Sequence, residues 1–143
     1  MKRIGMNLNR LLLAFSMILM VSAVGCSESG PELVPTSGIV KIDGVPAQGI
    51  MVRFMPDVID DSIKLPSSQG LTNAEGKFEL RTTDNKVGAA EGPHRVSLFD
   101  TLEERVPQGQ TAKPARLDSK FSSGAIEITV GDGEEIVIEA TGS

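Results

Sequence analysis

Tryptophan and tyrosine are absent from this chain, and histidine and cysteine each occur once in 143 residues. A single cysteine forms no intramolecular disulfide, so the fold must be held by burial. One histidine, His94, leaves too little material for a His-rich zinc site. It shares a strand face with Val96 and Leu98 and reads as a cap on one end of the core. Without Trp or Tyr there are no sugar-stacking platforms of the kind that accompany paired glycosidase carboxylates. Phe, present five times, is the only large aromatic, so the core must be mainly aliphatic. Basic charge is scarce as well. All 19 acidic residues but only 11 of 14 basic ones lie beyond residue 26, giving that part a charge of −8. That sign excludes a nucleic-acid binder, which needs a basic surface for phosphate. No glycine-rich phosphate loop leads into a helix, and no cofactor is expected.

The N-terminus is the one region that is basic and then apolar. Lys2, Arg3 and Arg10 precede a run from Leu11 to Gly25 broken only by Ser16 and Ser22. This is the order of a secretory signal, and 15 residues fall short of the ~20 that span a bilayer. The run ends in Ala23-Val24-Gly25-Cys26, followed by the polar Ser27-Glu28-Ser29-Gly30-Pro31. These residues resemble a bacterial lipobox. The resemblance implies cleavage before Cys26, acylation of its thiol and amine, and anchoring to the cell envelope. Ser27 at the second mature position implies sorting to the outer membrane. Three acyl chains exceed what stable anchoring requires. The expected organisation is therefore a signal peptide over 1–25, a tether over 26–36 and a folded domain over 37–143.

Within that domain the organising stretch is Ser37 to Met55. Val40 and Ile42 alternate with Ile39, Lys41 and Asp43; beyond Asp43-Gly44, Ile50, Val52 and Phe54 alternate with Met51, Arg53 and Met55. Period-two alternation marks strands with one buried face, and Asp-Gly marks a tight turn. The spacing predicts two strands in a hairpin-like unit. Further strands are expected at Leu71-Thr72, at Lys77 to Thr82 with Phe78 and Leu80 inward, and at His94 to Phe99. Ala125 to Val130 and Glu134 to Ala140 flank Gly131-Asp132-Gly133 and read as the clearest hairpin. Loops are expected over 57–70, 84–92 and 101–123. Seven short strands without a helix predict an all-β, antiparallel, seven-stranded β-sandwich.

Several motifs carry a resemblance. Gly38-x-Val40, Asp43-Gly44-x-Pro46, Gly49 and Val52-x-Phe54 come first, then Thr72-Asn73-x-x-Gly76-x-Phe78, then Gly92-Pro93-His94-Arg95-Val96. In that order and spacing they resemble the carboxypeptidase regulatory-like domain, a transthyretin-like (prealbumin-like) sandwich, over residues 36 to 140. The resemblance implies a noncatalytic module with a structural or protein-binding role.

Two groups of residues are candidate sites. Asp57, Asp60 and Asp61 are the best acidic cluster for calcium or another small ligand, although their spacing matches no EF-hand and favours a solvated acidic loop over a cation site. Met51, Arg53 and Met55 share the strand face opposite Ile50, Val52 and Phe54. We expect a loop to cover them; left open, they would form a surface for an envelope protein partner.

Mass spectrometry of the protein from native envelope should find the chain beginning at a triacylated Cys26. Cys26→Ala should leave the signal segment uncleaved or release the protein from the membrane fraction.

Overall fold

The computed structural model describes residues 31–58, 60, 62–103, 108–111 and 114–143, with Cys26 outside them. The chain is all-β. Its strands are β1 (Leu33–Val34), β2 (Ser37–Ile42), β3 (Val45–Pro46), β4 (Ile50–Pro56), β5 (Ser68–Leu71), β6 (Lys77–Glu79), β7 (Arg81–Thr82), β8 (Ala89–Ala90), β9 (Gly92–Asp100), β10 (Ile126–Val130) and β11 (Ile136–Ala140). A 3-10 turn over Ser119–Ser123 precedes β10, opened by the Asp118 side chain accepting from the Lys120 N–H.

The strands fall into two principal sheets. One is antiparallel, in the order β10-β9-β4-β5-β7. The other centres on β2, with β6 and β3 pairing antiparallel to it and β11 pairing parallel. Both sheets contribute to one core: Val40, Phe78, Ile138 and Ala140 from the second, and Ile50, Val52, Phe54, Val96 and Leu98 from the first. Phe54 and Phe78 lie 6.4 Å apart, tilted, within it. The arrangement is consistent with a β-sandwich, in which alternate residues of facing strands fill the space between sheets.

Both expected hairpins are corrected by the topology. Asp43 (φ 51°) and Gly44 (φ 81°) do form a two-residue turn, with Ile42 opposite Val45. Successive positive φ values suit the right-handed twist of a hairpin. The returning strand, however, is β3, only two residues long. At Gly49 (φ 75°) the chain leaves for the other sheet, where β4 pairs with β5 and β9. Buried Thr72 holds this switch. Its hydroxyl donates to the Ala47 carbonyl at 2.7 Å and accepts from the Ile50 N–H at 2.8 Å. Thr101 adds a second clasp, its hydroxyl donating to the Gly49 carbonyl at 2.7 Å.

Gly131-Asp132-Gly133 likewise marks a crossing, so β10 and β11 are not partners. β10 runs antiparallel along β9, with Ile128 opposite His94, while β11 lies parallel to β2, with Ile138 opposite Val40. Five residues, 131–135, reach about 16 Å when extended, enough to cover the ~10 Å between packed sheets. The fold is thus not wholly antiparallel. Smaller corrections follow at the edges. Leu33–Val34, expected in the tether, pairs with β8 inside the expected 84–92 loop, and β5 begins at Ser68, inside the expected 57–70 loop.

The parallel pair needs glycine at one point. A Cβ on Gly38 would collide with the Ile136 carbonyl and come within 2.7 Å of the Phe78 ring. Gly38→Ala should therefore destabilise by about 1–3 kcal/mol, the usual cost of overpacking. Urea titration of both variants should show that loss for Gly38→Ala and little change for Gly131→Ala, which has open space around it.

Candidate functional site

The outer face of the five-stranded sheet is the surface on which the strand sequences place unusual residues. Register aligns them in rows across the strands. Leu71, Met51 and Phe99 form one row over β5, β4 and β9. Arg81, Gln69, Arg53 and Ser97 form the next over β7, β5, β4 and β9. Met55 and Arg95, with Glu127 on β10, form a third. The inward partners of these residues, Ile50, Val52, Phe54, Val96 and Leu98, are wholly buried, so the surface rests on a packed core.

The strip expected to lie under a loop is open instead. Met51 is half-buried, while Arg53 and Met55 are exposed, Met55 at 54%. Leu71 is also 54% exposed. Among the described residues, cover is seen on the β9 side, where the backbone at Gly124 stands over Arg95 and Ser97 and Ser97 is buried. The Arg53 guanidinium lies 5.4 Å from the centre of the Phe99 ring, a cation–π placement that holds its planar fork in one orientation.

The acidic candidates are engaged in local contacts. Asp57 lies 3.5 Å from Arg95, both exposed. Asp60 accepts from the Ser62 N–H at 2.9 Å, and hydrogen bonding from the Ser62 side chain and then from this N–H holds its carboxyl below the usual range. Asp61 lies outside the described residues. Among the described residues no three His, Cys, Asp or Glu side chains are grouped to hold a metal ion. A solvent-open cleft of about 390 Å³ sits where β10 passes to β11, lined by Thr36, Val130, Ile136 and the carboxylates of Asp132, Glu134 and Glu135. No nucleophile and base are paired there.

Two buried polar groups were not foreseen in full. His94 does cap the core, tilted against Phe54 at 5.7 Å and 1% exposed. Its Nδ1 lies 3.0 Å from the Gly92 carbonyl, which fixes the Nδ1–H tautomer and leaves Nε2 bare, with no partner among the described residues. Burial pushes its pKa down. The second group is Asp100, whose side chain is 2% exposed and gripped by Arg116 through two bonds of 2.6 and 2.7 Å. Arg116 also donates to the Gln48 carbonyl at 3.0 Å. The fork thus pins the irregular segment to the end of β9 and to the β3–β4 switch. Hydrogen bonding from Arg116 holds the Asp100 carboxyl below its usual range. Neither residue stood out in the sequence, since Asp100 and Arg116 are 16 positions apart and match no motif.

Comparison with known proteins returns no match to any family model, curated protein or solved structure.

These groups set a two-step pH response. For His94 the folded pKa lies below the ordinary 6.5, so the unfolded chain takes up the proton first and stability falls as pH drops below about that value. For Asp100 the stabilisation is present above the ordinary carboxylate pKa of 3.8 and is lost as pH falls through the depressed folded value. Urea titrations from pH 7 to 3 should show both slopes. His94→Phe should flatten the first and leave the second. Arg116→Ala should cost about 1–3 kcal/mol at pH 7, because it strands a buried carboxylate.

Proposed function

We propose that this chain is a lipid-anchored protein of the bacterial cell envelope, held to the outer membrane through Cys26. Its folded part is a noncatalytic, transthyretin-like β-sandwich that binds another envelope protein. The order of basic, apolar and small residues before Cys26 supports the anchor. Two sheets, β10-β9-β4-β5-β7 and the group around β2, that share one aliphatic core support a sandwich of this kind. What recommends the surface is its composition.

The observation that carries the reading is the open face bearing Met51, Met55, Leu71 and Phe99 on a rigid sheet. Contiguous exposed apolar side chains rimmed by polar ones mark interaction surfaces, and methionine adapts to varied partners. Arginine and aromatic residues are enriched at interfaces as well.

A photoreactive amino acid at Met55 should crosslink to a discrete protein in native envelope. The same label at Val137, which is 55% exposed on the outward side of β11, should not. The Met51→Glu/Met55→Glu double variant should fold and remain anchored but lose co-purification of that crosslinked protein. Equal crosslinking from both positions, or unchanged recovery with the double variant, would refute the assignment.

A further inference from the structure

We propose that the outer face of the five-stranded sheet receives an acidic, amphipathic polypeptide segment, its apolar side on Leu71, Met51 and Phe99 and its carboxylates on Arg53 and Arg81. This rests on the protein-binding reading and names the chemistry of the partner.

Charge complementarity carries the argument. The chain beyond residue 26 has a charge of −8, yet the outward positions of this sheet hold Arg53, Arg81 and Arg95 against Glu127. Arg81 and Arg95 have only exposed carboxylate neighbours, Glu79 and Asp57, each at 3.5 Å. Exposed pairs of that length are weak and readily exchanged. Arg53 has no carboxylate partner among the described residues, and its stacking on Phe99 leaves the N–H edge of the fork to take a carboxylate through two bonds.

Geometry matches the segment to the rows. Neighbouring strands lie about 4.8 Å apart and successive outward residues about 6.8 Å apart. The apolar row and the arginine row are therefore parallel tracks about 7 Å from each other, each about 10–15 Å long. Two to three turns of an amphipathic helix cover that length. Met51 and Met55, flexible and polarizable, let the floor adjust to the bound side chains.

An anionic bilayer offers similar charge but fits less well. Basic clusters that hold proteins to membranes use about 4–8 Lys or Arg, and an extended surface feels the −8 body. A narrow segment feels chiefly what lies within the ~8–10 Å screening length, and over the two rows that includes Arg53, which has no carboxylate partner among the described residues.

The full chain, held in phosphatidylcholine nanodiscs and labelled on its methionine methyls, tests this by NMR. The probes are a 14-residue Leu/Glu peptide of helical spacing and its Leu/Lys counterpart, together with nanodiscs containing phosphatidylglycerol. The Leu/Glu peptide should shift the Met51 and Met55 signals saturably, and the Leu/Lys peptide should not. Arg53→Glu, an exposed change that should leave the thermal midpoint unaltered, should weaken the Leu/Glu peptide at least tenfold and admit Leu/Lys. Equal response to both peptides, or response only to phosphatidylglycerol, would overturn the proposal. No response to either peptide, with crosslinking at Met55 intact, would sink the acidic-segment chemistry while leaving the protein-binding reading. Loss of both results would remove the two together.

Discussion

The last strand lies parallel to the first long one, and the rest of the structure depends on that pairing. β11 can approach β2 because Gly38 presents no side chain where the Ile136 carbonyl and the Phe78 ring converge. Five register pairs, from Ile136–Gly38 to Ala140–Ile42, then tie the C-terminal strand to the N-terminal part of the domain. This long-range ladder brings Ile138 and Ala140 into the core beside Val40. It also obliges β10 and β11 to belong to different sheets, so that β10 extends the sheet whose outer face stays open.

The sheet switches are fixed by polar groups more than by hydrophobic pattern. At Gly49 the backbone takes a conformation that glycine adopts without strain, and two threonines satisfy the carbonyls and N–H groups left over where ladders end. Thr72 serves both sides of the switch, and Thr101 takes the Gly49 carbonyl. The Asp100–Arg116 pair lies at the same end and adds the Gln48 carbonyl to its contacts. One end of the domain is thus densely hydrogen-bonded. Toward the other end, buried His94 has a bare nitrogen and responds to mild acid.

The candidate surface arises from this architecture in a simple way. β4 is central, with Ile50, Val52 and Phe54 buried, so its outward residues are displayed on a stiff base. Rows form because cross-strand neighbours share a face. Leu71, Met51 and Phe99 belong to three separate segments of sequence, and only register sets them side by side. Arg53 is oriented by Phe99 in the same manner.

Alternation alone was sufficient to define the all-β class and the inward identity of Val40, Ile50, Val52, Phe54, Phe78, Leu80, His94, Val96 and Leu98, all of which are buried. It also located the Asp43-Gly44 turn, because positive φ is a local demand that Asp-Gly meets locally. Of the candidate surface, the outward phase of Met51, Arg53 and Met55 was legible, since it depends on the same period of two. Which strand each turn returns to, the parallel direction of β11, the companions Leu71 and Phe99, and the Asp100–Arg116 grip were decided by the tertiary structure. The reason is physical: side-chain period follows from the backbone of a single strand, whereas pairing partners and exposure depend on competing edges far away in the chain, and no local pattern encodes which edge is met.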